Sequence, residues 1–335
     1  MKHNWPGTLL AVAALAGVGW CRFHPEAADW YALHFYPKWS AGVSSIAAWI
    51  PWSLDEIVVA VAILVLIVRL IRFRKRWLAA VNLLLWITVW FYVGWGINYF
   101  RSDIYSRAGK EPAMYDKARF QTFLNDFTVR INQEYIPNRF EDKERLAWTV
   151  RSWYASRPPE MGLALPHDWQ EPKKLLFNRL YSAVGVMGYV GPFFNEIQVN
   201  MDTPSIDYPL SYAHEYAHLL GVSSEAEANY WGYKACLSSS DATVRESARQ
   251  SLLPYIMQDA RRILDQDEYE RWYASLRPEV IEVYNRNRNY WAARYNPVVG
   301  KIQDWFYNLY LKSNRISAGT ANYGEVIQMI ITLDY

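Results

Sequence analysis

Two of the chain's six histidines, His214 and His218, stand four residues apart in the run HEYAH, with Glu215 directly after the first. On a helix, positions four apart share one face, so both imidazoles can grip one metal ion while Glu215 sits one position round to hold a water against it. Zinc in such a site lowers the pKa of that water to about 7, and the carboxylate acts as general base; the chemistry is peptide-bond hydrolysis. An ordinary amphipathic helix with two packed histidines spells the same five letters, so the surroundings have to decide.

Pro209 precedes the run, Leu219 and Leu220 continue its apolar face, and Gly221 is placed to end a helix in a left-handed turn. A zinc site of this kind needs a third protein ligand, and Glu225 and Glu227 on the next helix are both available. Ser224 followed three residues later by Glu227 reads as a capping box, in which the Glu227 side chain turns back to the Ser224 N–H. Glu225 falls in the first turn, with Asn229 one turn below on the same face. Glu225 is therefore the expected third ligand, and Asn229 the expected hydrogen-bond partner of a ligand histidine. Hydrolysis also calls for a donor to the developing oxyanion. No histidine follows His218, so the candidates are Tyr310 and Tyr323, the latter for its place in the turn-forming GTANYGE; each also reads as an ordinary core or surface tyrosine.

The elements that must position these residues follow from periodicity. Apolar residues at helical spacing mark 113–135 and 140–154 as helices, and nearly everything after 208 is helical in character. Between them, GVMGYVGPFFNEIQVNM at 185–201 reads as two short strands joined at Gly191-Pro192. The second, NEIQVN, is the expected edge strand beside the metal helix, able to pair with a substrate backbone; its Glu196 reads as a solvated charge.

The first hundred residues differ in character. Three apolar runs, 8–20, 57–71 and 78–100, approach the roughly 20 residues that span a bilayer. The first also resembles a signal peptide, but Trp20 is too bulky for a processing site, so a retained span is expected. The basic cluster RLIRFRKRW at 69–77 belongs in the cytoplasm, which puts Met1 inside, the 22–55 loop outside and Tyr335 outside. Within that outer loop, a short interfacial helix and a packed loop both fit. The expected fold is thus an α-helical membrane anchor of about three transmembrane helices over 1–100, followed by a mostly α, zincin-like α+β metallopeptidase domain with a small sheet over 101–335. A net charge of +2 among 335 residues gives no reason to expect a nucleic-acid partner, while 17 tryptophans and 25 tyrosines suit a bilayer interface. Cys21 and Cys236 are too few and too distant for a disulfide framework and read as buried thiols.

The HExxH run followed by SEAEAN resembles the gluzincin peptidases, especially the CaaX prenyl protease and heat-shock membrane protease group, whose second helix carries E-x-x-A-D. The combination of IPWSLDE, WGINYFR, GYVGPFFNEIQVN, HEYAHLLGVSSEAEANYWGYKAC and YLKSNRISAGTANYG resembles more closely a family of bacterial membrane proteins with a domain of unknown function. The resemblance implies zinc on His214, His218 and Glu225, with Glu215 as base, a peptide or protein substrate, and residence in the bacterial inner membrane with the site facing outward. Where the broader group has Asp, this chain has Asn229, whose amide accepts from an imidazole without adding charge; a non-catalytic zinc-binding scaffold or sensor is the competing reading. An intramembrane protease is disfavoured, because Asp202, Asp207, Glu225, Glu227 and Lys234 leave no spanning apolar run around the motif.

Overall fold

The computed structural model describes residues 5–72, 77–137, 140–314 and 325–335. The chain is helical over most of its length, with one small sheet. It opens with α1 (Trp5–Phe23), α2 (Pro25–Trp30), a π-helical turn (Tyr31–Phe35), α3 (Tyr36–Ala47), α4 (Leu54–Arg72) and α5 (Trp77–Gly94). Then come α6 (Ile104–Ala108), α7 (Lys117–Gln133), α8 (Lys143–Ala155), α9 (Asn178–Ala183), β1 (Gly188–Gly191) and β2 (Glu196–Val199). The rest is α10 (Tyr208–Leu219), α11 (Glu225–Leu237), α12 (Ala242–Ile263), α13 (Gln266–Ser275), α14 (Pro278–Ala292), α15 (Pro297–Ser313) and α16 (Val326–Asp334).

Short polar side chains decide where many of these helices begin. Asp103, Asp116, Asp142, Ser224, Asp241 and Asp265 each accept a backbone N–H from the first turn of the helix they precede. Asp265 and Glu268 complete a capping box, which gives α13 a sharply set start.

Among the described residues α1 is the one helix long and apolar enough to cross a membrane, and its length and composition suit an anchor or a signal sequence alike. The third apolar run is interrupted rather than continuous to 100. α5 ends at Gly94, and a 3-10 turn, Gly96–Phe100, follows with Ile97, Asn98 and Phe100 buried. The glycines at 94 and 96 break the helix where the chain turns into the protein. The basic cluster falls partly outside the described residues, at 73–76, as do Met1 and Tyr323.

The expected outer loop is mostly helix and is packed rather than free. Tyr36, fully buried, donates from its hydroxyl to Leu219 O at 2.6 Å, and Trp169 and Gln170 both reach Ser44 Oγ. One hydrophobic core runs from Val18 and Tyr36 through Trp95 to Tyr216, Leu219 and Ile330, so residues on both sides of position 100 share it.

β1 and β2 pair antiparallel, with Gly188 opposite Val199 and Gly191 opposite Glu196. This corrects two expectations. β2 is not the free edge: all four of its residues are buried, and Lys173 N donates to Ile197 O at 2.8 Å on its far side. Among the described residues nothing pairs with the far side of β1, so the open edge belongs to it. Nor is Glu196 a solvated charge. It is buried and accepts the Leu54 and Asp55 N–H groups at 2.9 and 3.2 Å, capping α4. Asp55 answers by accepting from Phe193 and Phe194 N–H at 2.8 and 3.1 Å, and Glu56 from Leu176 N–H at 2.5 Å. The start of α4 and the hairpin are therefore stitched together by carboxylates that satisfy each other's backbone donors.

Candidate metal centre

α10 is buried on every side, from Pro209 through Leu219, as expected of a helix at the centre of a domain. It ends at Leu219, and Gly221 follows with a φ of +98°, a left-handed conformation; a Cβ there would also come within 3.2 Å of the Tyr36 ring. The chain reverses within residues 220–224, and Ser224 Oγ accepts from Glu227 N–H at 3.3 Å to start α11.

This reversal brings three side chains together. His214 Nε2 and His218 Nε2 lie 3.1 Å apart, and Glu225 Oε2 lies 3.2 Å from the first and 3.3 Å from the second. All three residues are buried. A tetrahedral ion with bonds of about 2.0–2.1 Å separates its ligand atoms by roughly 3.3–3.4 Å, so this near-equilateral triangle has the dimensions of a metal face. The outward nitrogens are occupied: His214 Nδ1–H donates to Asn229 Oδ1 at 2.8 Å, and His218 Nδ1–H donates to Val222 O at 2.7 Å. Each bond turns its ring so that Nε2 faces the triangle. A proton on His218 Nε2 can be shared with Glu225 Oε2 at 3.3 Å, and once that proton leaves, two imidazoles and one carboxylate make a donor set that suits zinc.

Electrostatics follow the geometry. Burial alone would raise Glu225, but the two imidazoles hold it well below the usual carboxylate range. Burial works to lower His218, yet Glu225, Glu215 and the Val222 carbonyl carry it up to about 9. Glu215, fully buried, is pushed up to about 7 by desolvation, against the opposing pull of the imidazoles. Its Oε2 has no hydrogen-bond partner among the described residues. β1 passes directly over it: a Cβ on Gly188 would lie 2.8 Å from Glu215 Cγ, so only glycine leaves the carboxylate its place.

Glu227 points elsewhere. Its carboxylate pairs with the buried Arg107 guanidinium and accepts from Trp231 Nε1 at 2.9 Å, while of the expected capping box the Ser224 side-chain half is seen. Removing one side of a buried pair costs more than removing a cap, which is worth about 1 kcal/mol. Glu227→Gln is therefore expected to lower stability by about 3 kcal/mol while leaving bound metal unchanged, as read by denaturant melts and metal content on the same preparation.

The backbone at the end of α10 is held by residues outside the HExxH run and α11. Trp95 Nε1 donates to His218 O at 3.1 Å, and Arg101 reaches Gly162 O and Gly221 O at 2.8 and 3.3 Å. Ser223 Oγ donates to Asn98 O at 3.0 Å. These contacts give WGINYFR a physical role: it braces the turn that leads into Glu225.

Of the two tyrosines expected as donors, Tyr310 lies on α15 and Tyr323 outside the described residues. Tyr99, Tyr181 and Tyr189 line a 480 Å³ cavity with His214, Glu215, His218 and Glu225, and Tyr255 of α12 lines a 280 Å³ cavity with His214, Glu215 and Asn229. Burial pushes the Tyr255 hydroxyl up to about 12, so it remains a donor. Only its position four residues after Ser251, which puts two hydroxyls on one helix face, marks it in the sequence.

No curated protein and no solved structure matches the chain. The model of one family does, over residues 31–331, from the π-helical turn through α10, α11 and the last helix. The bracing motif, the hairpin and the His-Glu cluster all fall inside that span, and the chain belongs to the family described as "Protein of unknown function (DUF3810)".

Proposed function

We propose that this chain is a membrane-anchored zinc metallopeptidase. The observation that carries the reading is the triangle of His214 Nε2, His218 Nε2 and Glu225 Oε2, with each Nδ1 held by an outer partner and Glu215 lining the same cleft. Zinc bound there supplies Lewis-acid polarisation of a carbonyl and a water of pKa about 7. Glu215 Oε2 then takes the proton of the attacking water and delivers it to the leaving amine. The open edge of β1 holds the substrate backbone. Asn200 N donates to Met187 O, so ladder alternation turns the N–H and C=O groups of Gly188 and Val190 toward the cleft. Tyr255 joins Tyr310 and Tyr323 as a candidate oxyanion donor.

The competing reading, a zinc-binding scaffold or sensor, draws support from Asn229, which orients His214 without the charge of an aspartate. The two part on activity. Peptide hydrolysis by the full chain in detergent is expected to stop on chelation and return with stoichiometric zinc, whereas a scaffold binds zinc and hydrolyses nothing.

In the same reading α1, α4 and α5 are three spans in the inner membrane of a bacterium, and the site faces outward. The basic residues between α4 and α5 set that orientation. A C-terminal fusion is accordingly expected to activate a periplasmic reporter and to leave a cytoplasmic one silent; the opposite pattern refutes the topology.

A further inference from the structure

The cleft at the candidate metal centre has two lobes, one more apolar and one more polar, that share Val184, Val186, Gly188, His214, Glu215 and Gln303. One, of 480 Å³, is walled by Phe91 and Trp95 from the anchor side, Leu180 and Val190, and Ile302 of α15. Among the described residues its charged side chains are the site's own Glu215 and Glu225, with His214 and His218 beside them and Tyr99, Tyr181, Tyr189 and Gln303 as further polar groups. The other, of 280 Å³, is lined by Ser211, Asn229, Ser251, Tyr255 and Asp304. Ser251 Oγ in this lobe is buried and has no hydrogen-bond partner among the described residues, and Glu215 Oε2 is in the same condition. Buried polar atoms without a protein partner are where an ordered water or a ligand's polar group is accommodated.

The direction of β1 orders the lobes. Val184, Val186 and Gly188 border both lobes, Gly185 and Met187 only the more polar one, and Tyr189, Val190 and Pro192 only the more apolar one, so β1 leads from the former toward the latter. A peptide adding to that edge in the more stable antiparallel sense runs the other way. Resting on the hydrolase reading above, we infer that the substrate is an extended peptide in which an apolar run gives way to small polar residues. Its apolar side chains lie N-terminal to the cleaved bond, in the lobe of Leu180 and Ile302, and its polar ones C-terminal, in the lobe of Ser251 and Tyr255.

The test uses the full chain in detergent. Zinc-loaded protein is given random decapeptide libraries, and cut sites are read by mass spectrometry. Leu, Val or Phe is expected before the cut and Ser, Thr, Asn or Gly after it. Leu180→Asp, at a position 54% exposed and so tolerant of charge, should lower cleavage of such peptides about tenfold with zinc content unchanged. Ser251→Leu should instead select against the polar side. Binding gives an independent readout. With Glu215→Gln, a peptide carrying a photoreactive phenylalanine before the cut position should crosslink to α9 or α15, and one carrying the probe after it should crosslink to α12. Glu215-dependent cleavage with the reverse or no polarity, or crosslinks in the opposite lobes, overturns this inference alone. Absence of any Glu215-dependent cleavage overturns the hydrolase reading and this inference with it.

Discussion

Glu215→Gln is expected to abolish peptide hydrolysis while leaving the metal in place. The carboxylate makes no contact in the triangle of ligand atoms, whose edges are all formed by His214, His218 and Glu225. It lies under the open edge of β1 with Oε2 free of hydrogen-bond partners among the described residues, where a proton can be taken and handed on. Glutamine has the same shape and cannot accept that proton. General-base removal costs typically 10²–10⁴-fold, so turnover should fall by about three orders of magnitude with zinc stoichiometry and melting behaviour close to wild type. Parallel zinc analysis and peptide turnover on the two proteins check both halves. A glutamine variant that loses zinc would show that Glu215 is a ligand, and one that retains full turnover would remove it from the chemistry.

Glu225→Gln is expected to do the opposite and empty the site. Loss of an outer hydrogen-bond partner of a ligand typically costs roughly 10–100-fold in metal affinity, and loss of a charged direct ligand should exceed this. The remaining His214 and His218 offer only two donors on one helix face, too few for a closed zinc site. His214→Ala and His218→Ala should lose the metal as well. Asn229→Ala should fall between, because it frees His214 Nδ1 and lets the ring turn without removing a ligand. Competition with a chromogenic chelator gives all four affinities on one scale. If Glu227→Gln loses zinc and Glu225→Gln keeps it, the assignment of the second helix is wrong by one face.

The local parts of this architecture were readable from the chain, and the reasons are physical. HEYAH, Gly221 and Ser224 specify a helix, a left-handed stop and a restart within a few residues. The placement of Glu225 and Asn229 on one face of α11 then follows from helical period alone. The hairpin was similarly marked by its change of texture around Gly191-Pro192. What was not legible depends on contacts between distant segments. Glu196 looks solvated in a strand of four, and only the arrival of the α4 N-terminus, from far along the chain, makes it a buried cap. β2 looks like the edge until Lys173 pairs with its far side, and Glu227 looks like half a capping box until Arg107 reaches it. Tyr255 belongs to the same class, since no local pattern says which face of α12 meets the cleft.

His214, His218 and Glu225 are proposed to hold one zinc ion. Zinc-edge X-ray absorption on the full chain, purified without added metal, reads that coordination. The expected result is one zinc per chain with two imidazole nitrogens and a carboxylate oxygen at about 2.0–2.2 Å. That signal should disappear in Glu225→Gln and persist in Glu215→Gln. A zinc-free protein that takes up no zinc on titration, or a spectrum unchanged by replacing His214 and His218, would contradict it.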